Sequence, residues 1–354
     1  MPSAPNEVVW FVGLAALSAL LTRGALAYAR NRQLLDQPGQ RRSHAVPTPR
    51  GGGIAIVITV VPCVSLLAGQ TTGLSAVLTL ALLAVAGIGW LDDHRPQPVL
   101  RRLMVHLAAA LALAWVLPTP SLTYVSSVWL LVALCWIFVV ACINAWNFMD
   151  GSNGLLASQC LWLGVMLMIV LTVSDPAKSA SSWGLLAGAT AAACAGFLPF
   201  NFPRAAIFMG DVGSGSLGLL CGVLLWVAWA LEPNNVWMLM VLPSALLVDA
   251  SLTLASRITK RRRWYTAHRE HLYQWMIRSG HSHARVAVLY MIWNLVVVVP
   301  TVTAMRQFPE ASAALTGLVL MLASGLWWFG KRALLAGRRT TRRAGRRVPE
   351  QGRS

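Results

Sequence analysis

Apolar runs long enough to cross a bilayer recur from one end of this chain to the other, separated by short polar segments. Spans are expected near 7–29, 53–70, 73–90, 103–118, 124–143, 155–174, 182–199, 215–231, 236–256, 285–304 and 311–330. A helix of about 20 apolar residues covers the hydrocarbon core, so the pattern predicts an all-α polytopic membrane protein with about 11 transmembrane helices. An odd number of crossings puts the termini on opposite sides. The first run lacks a basic n-region and is too long for an ordinary cleaved signal, so 7–29 reads as a retained span.

The polar positions are distributed unevenly between the two sides. One set of connections comprises 30–52, 91–102, 144–154, 200–214, 257–284 and the tail 331–354. It carries 25 of the 29 Lys and Arg, and all seven histidines lie on or beside it. By the positive-inside rule this face is cytoplasmic, with the N-terminus periplasmic and the C-terminus cytoplasmic. Residues 1–330 read as one transmembrane domain whose polar loops share this face. The basic tail 331–354 reads as a disordered arm attracted to anionic lipid.

Composition strengthens this picture. The chain is 56% apolar and only 12% charged, about half the charge of a soluble domain. The net charge of +17 would suggest nucleic acid in a soluble protein; confined to one membrane face, it does not. The six cysteines lie inside apolar runs without metal spacing and read as small buried hydrophobes.

Candidate chemistry lies in the loops of the basic face. In PFNFPRAAIFMGDVGSGSL, Asp211 stands at a helix start beside glycines whose N–H groups can approach an anion. A carboxylate there suits a divalent cation bridging to phosphate. Asp92 and Asp93 are adjacent at the inner end of a span, which requires a cation, an arginine or a shared proton to offset them. Arg101 and Arg102 are available partners. Asn144, Asn147 and Asp150 share a helix face in NAWNFMDGSNG, with Ser152 and Asn153 following.

Loop 30–52 offers Arg41, Arg42, His44 and Arg50 to phosphate or to lipid headgroups, and its PTPRGGG run lacks the ending of a nucleotide P-loop. Loop 257–284 carries His268, Arg269 and His271. No cysteine or suitable carboxylate completes a zinc site there, so an anionic substrate or an amphipathic lipid contact is the better reading. Asp249, the one acid inside a predicted span, reads as a packing partner or a proton site. Clean spans and the absence of a convincing internal repeat argue against a transporter. Acids, amides and arginines on one face point to Mg²⁺-assisted phosphate chemistry at the lipid boundary.

Taken together, LDQPGQRRSHAVPTPRGGG, LDDHRP, NAWNFMDGSNGL, FNFPRAAIFMGDVGSGSLG and HREHLYQ resemble the polyprenyl-phosphate N-acetylhexosamine-1-phosphate transferase superfamily, in order and spacing from loop 30–52 to residue 285. The resemblance implies transfer from a UDP-N-acetylhexosamine to undecaprenyl phosphate in a bacterial inner membrane, releasing UMP, with Mg²⁺ (or Mn²⁺) as cofactor. It implies Asp211 as metal ligand and Asp92 and Asp93 as the aspartate pair, one of which activates the lipid phosphate. Asn147, Asp150, Asn153, Asn201 and Phe208 fall at nucleotide-side positions. His268, Arg269 and His271 match the loop that meets sugar and phosphates. HREHLYQ is more similar to the branch that initiates O-antigen and related lipopolysaccharide glycans than to the muramoyl-pentapeptide branch of peptidoglycan synthesis. Two positions depart from the family pattern: Asn153 stands where many relatives have aspartate, and Arg204 where a small residue often follows the proline.

Overall fold

The structure is a computed structural model, and it describes residues 4–37, 47–67, 73–121, 127–174, 179–233, 236–262 and 269–345. It is all-α apart from a two-residue antiparallel ladder, β1 (Leu35–Asp36) and β2 (Thr48–Pro49). The helices are α1 (Ala4–Asn31), α2 (Ile54–Val60), α3 (Leu74–His94), α4 (Val99–Val116), α5 (Val128–Met149), α6 (Leu155–Ser174) and α7 (Ser179–Asn201). The second half adds α8 (Asp211–Leu231), α9 (Val236–Val241), α10 (Ser244–Thr259), α11 (Leu272–Arg278), α12 (His283–Trp293), α13 (Val299–Gln307) and α14 (Ser312–Gly345).

Among the described residues, nine helical stretches are long and apolar enough to span a membrane, where the hydropathy pattern suggests eleven. The difference falls on two runs. In 53–70, α2 is only seven residues long and passes at Val61 into a 3₁₀ turn that carries Pro62. In 236–256, Pro243 separates α9 from α10. Proline has no N–H for the helical ladder, and its ring crowds the preceding turn. Each run is apolar enough to lie within the bundle but is not one continuous helix.

The centre of the bundle is α8, buried continuously from Val212 to Ala228. Its small residues allow neighbours to approach at backbone distance, as in membrane helix pairs generally. A Cβ at Gly218 would fall 2.7 Å from Ile143 Cα on α5. On α3, a Cβ at Gly89 would fall 2.6 Å from Val212 N. These close crossings fix the inner end of α3 against the start of α8.

Four connections are tied together at this end. Gly52 N–H donates to Phe208 O at 2.9 Å and Gly53 N–H to Met209 O at 2.8 Å, tying the β2–α2 turn to the α7–α8 loop. Gly154 N–H donates to Asn201 Oδ1 at 2.7 Å, and Tyr273 Oη to Phe148 O at 2.9 Å. The polar face read from the sequence is therefore a single surface. The basic tail, expected to be disordered, continues α14 as helix as far as Gly345, and 346–354 lie outside the described residues.

Candidate active site

The site begins with the start of α8. Gly210 has φ +76°, a left-handed conformation that glycine adopts without cost, and it turns the chain into the helix. The first N–H groups of any helix lack partners inside it. Here another helix supplies one: Asp93 Oδ1 accepts from Asp211 N at 3.1 Å, and Asp93 Oδ2 from Val212 N at 3.2 Å. Asp93 is buried and acts as a cap in trans. A side chain at Gly210 would collide with it, a Cβ falling 2.7 Å from Asp93 Oδ1.

With Asp93 engaged, the other two acids keep partly exposed side chains, 17% for Asp92 and 27% for Asp211, and mark where the site opens. Arg102 Nη1 pairs with Asp211 Oδ2 and lies 3.5 Å from Asp92 Oδ2. The second Asp92 oxygen accepts from Gln97 N at 2.7 Å. Arg50 reaches the Asp92 carbonyl at 3.4 Å. Asp92 and Asp211 thus converge on one cation, the guanidinium, with a third carboxylate directly behind. Three acids gather around one bridging arginine, with Arg50 behind Asp92. Two carboxylates within reach of one positive centre suit Mg²⁺, which takes one or two protein carboxylates and fills its shell with water and substrate phosphate. Among the described residues no cluster of three or more acid, histidine or cysteine ligands surrounds one point, so a bound Mg²⁺ would draw the rest of its shell from water and substrate phosphate. The donor set fits the ion.

The end of α5 forms the adjoining wall. Asn147 Nδ2 donates to Ser214 Oγ on α8 at 2.9 Å, so its amide faces the start of the central helix. Asp150 follows three residues later as the cap just past the end of the helix. Burial pushes the carboxyl well above the usual aspartate range, and the charges of Asp211 and Asp93 push it the same way. In the next turn, Asn153 N–H donates to His283 Nδ1 at 3.3 Å, with Ser152 Oγ 3.2 Å from the same nitrogen. Asn153 therefore joins the site through its backbone and the first residue of α12.

Not every expected residue faces this opening. Arg101 is exposed and donates to Gln97 Oε1 at 2.8 Å, one position away from the Arg102 that bridges the acids. Asn201 is buried as a strut: its Oδ1 accepts from Gly154 N and its Nδ2 donates to Ile207 O at 2.9 Å. Phe208 is half-buried, its N–H donating to Pro49 O at 2.8 Å. His271 is buried beneath the surface, 5.8 Å between ring centroids from Tyr273. Arg269 is half-buried beside it, and Arg204 is exposed. His268, Arg41, Arg42 and His44 lie outside the described residues.

Sequence reasoning passed over His106, which is buried on α4 with Nδ1 unpartnered and interacts electrostatically with Arg102 and Asp211. Its spacing from Arg102, four residues along one helix face, was the available signal.

Fold and cluster together define a multi-pass membrane protein whose ionisable groups gather at one end of the bundle. The family described as glycosyl transferase family 4 matches residues 75–228. The decaprenyl-phosphate N-acetylglucosaminephosphotransferase of Mycolicibacterium smegmatis is 30% identical over 344 residues, covering 85% of this chain and 80% of that protein. The probable undecaprenyl-phosphate N-acetylglucosaminyl 1-phosphate transferase of Bacillus subtilis is 27% identical over 270 residues, 73% of this chain and 74% of its own. A phospho-N-acetylmuramoyl-pentapeptide-transferase of Synechococcus is 31% identical over 271 residues, 70% and 75%. The chain belongs to the polyprenyl-phosphate N-acetylhexosamine-1-phosphate transferase superfamily, within glycosyltransferase family 4.

Proposed function

We propose that the protein transfers an N-acetylhexosamine 1-phosphate from a UDP-sugar to undecaprenyl phosphate, giving undecaprenyl-diphosphate-sugar and UMP. The observation that carries this reading is the convergence of Asp92 and Asp211 on one cation at the end of α3 and α8. In the reaction, an oxygen of the lipid phosphate attacks the sugar-bearing β-phosphorus of the donor, and the bond from that phosphorus to the UMP oxygen breaks.

Asp92 Oδ2, the acid with an oxygen toward the opening, takes the proton from the lipid phosphate. Asp93 fits that task less well, since both its oxygens are occupied at the head of α8. Arg102 holds phosphate charge beside them. Asn147 and Asp150 line the nucleotide side, and Arg269 stands on the inner loop with His271 buried beneath it. A Mg²⁺ ion held by Asp211 would neutralise the diphosphate and stabilise departing UMP, an electrostatic contribution of several kcal/mol.

The basic loops support a cytoplasmic opening in a bacterial inner membrane. The fuller coverage by N-acetylglucosamine-phosphate transferases, together with HREHLYQ, supports initiation of an O-antigen or related glycan over the muramoyl-pentapeptide reaction. The test uses purified protein in detergent with undecaprenyl phosphate, Mg²⁺ and a panel of UDP-sugars including the muramoyl-pentapeptide donor. UMP release with a lipid-linked N-acetylhexosamine product is expected. Turnover of the muramoyl-pentapeptide donor alone would move the protein to the other branch.

A further inference from the structure

Asp249 lies on α10, away from the acidic cluster, and the reaction above gives it no task. Its carboxylate is buried, 2% exposed, and unusually well occupied. Oδ1 accepts from Leu272 N at 2.7 Å, from Trp327 Nε1 at 3.0 Å and from Thr253 Oγ1 at 3.2 Å. Oδ2 accepts from Tyr290 Oη at 2.8 Å and Tyr273 N at 3.3 Å. His271 Nδ1 lies 3.8 Å from Oδ1. A carboxylate has about four lone-pair positions, so these donors saturate it. A group so filled is a poor proton carrier and a good anchor.

What it anchors is the start of α11. Leu272 and Tyr273 supply the first N–H groups of that helix, and Asp249 satisfies both from another element, as Asp93 does for α8. Through Trp327 and Tyr290, the same carboxylate ties α14 and α12 to that point. The anchoring extends further through Tyr273, whose side chain is fully buried. Tyr273 Oη donates to Phe148 O at 2.9 Å and accepts from Gln274 Nε2 at 3.0 Å. The Gly151 Cα packs beneath this phenol so closely that a Cβ there would overlap it. The phenol thus rests on the turn that carries Asp150.

We infer that Asp249 is a positioning residue: it seats the helix bearing His271 and Tyr273 and, through Tyr273, the turn bearing Asp150. Its kinetic consequence rests on the transferase reading; the seating itself does not. Asp249→Asn replaces one acceptor oxygen with a donor amide facing N–H and O–H groups. Tyr273→Phe removes the phenol's bonds to Phe148 O and Gln274 Nε2 and leaves both backbone N–H bonds to Asp249 in place.

Hydrogen exchange on the purified full chain reads the seating directly. In Asp249→Asn, exchange over 269–278 and 148–154 is expected to accelerate about tenfold, the scale of a lost buried cap. Exchange over 89–93 and 210–214 stays at the wild-type rate. Tyr273→Phe accelerates 148–154 and leaves 269–278 protected. In steady state both variants raise KM for the UDP-sugar about tenfold, with half-saturating Mg²⁺ unchanged, a split that general destabilisation does not produce. Where Asp249→Asn fails to accumulate, Tyr290→Phe withdraws one donor and loosens 269–278 more mildly.

Wild-type protection over 269–278 in the Asp249 variant, or in Tyr290→Phe where that variant serves instead, overturns the inference. So does wild-type KM in Tyr273→Phe. A wild-type protein inactive on every UDP-sugar would remove the transferase reading while the exchange arm still decides the role of Asp249.

Discussion

At the residue scale, the acids divide by what already occupies their oxygens. Asp93 has both oxygens on backbone N–H groups, whereas Asp92 and Asp211 share Arg102. Arg102→Ala is therefore expected to lower kcat/KM for undecaprenyl phosphate by about 10²-fold or more, as when one charge-stabilising donor is removed. Arg102→Lys should recover part of it, because an ammonium keeps the charge without the fork. Equal loss in both variants would mean that geometry, not charge, is what matters there. Asp150 allows a pH test. Its pKa is raised in the fold, so ionising it opposes folding as pH climbs from the unfolded value of about 3.9 towards the folded one. Asp150→Asn should accordingly stabilise the metal-free protein at pH 7, and the gain should shrink towards pH 4. Thermal melts in chelator at the two pH values measure this. The acids, Asn147 and Arg102 were all visible in the sequence as polar residues at span ends. The separate roles of Arg101 and Arg102 were not, because α4 begins at Val99 and its rotation decides which of two neighbouring arginines faces α8.

At the scale of elements, two helix starts are completed by acids from other helices. The sequence shows Gly210 and Asp211 as a helix start, but the partner lies 118 residues away, and no local spacing predicts it. Gly210→Ala forces a Cβ into φ +76° and against Asp93. We expect it to cost about 1–3 kcal/mol, to lower the melting temperature and to abolish most turnover. A wild-type melting temperature would show that the α7–α8 loop yields more easily than its packing implies. The two runs taken for whole spans, 53–70 and 236–256, fail for a local reason that was legible: Pro62 and Pro243 lie inside them. Hydropathy measures how apolar a segment is, not whether its backbone ladder is continuous.

At the scale of the molecule, the sequence already showed one polar face and one clean face, because charge asymmetry survives any error in span ends. The depth of that face was not legible. α14 has 34 residues, about 51 Å at 1.5 Å each, against a core of about 30 Å. Lys331 lies 4.3 Å from the Trp327 ring and Arg332 4.5 Å from the Trp328 ring, an aromatic and cationic girdle suited to a membrane surface. The exposed Arg204 belongs to the same polar end. A single cysteine at Arg204 is expected to react with an impermeant maleimide in inverted vesicles and not in intact spheroplasts; the reverse pattern would turn the whole assignment over.

The most direct test of the central claim is turnover against Mg²⁺ concentration for the wild-type protein and Asp211→Asn side by side, each shown to be folded by its melting curve. The account predicts lipid-linked product that rises and saturates with Mg²⁺ in the wild type and stays at background in the variant. Wild-type turnover by Asp211→Asn at ordinary Mg²⁺, or turnover by the wild type that ignores chelator, would contradict it.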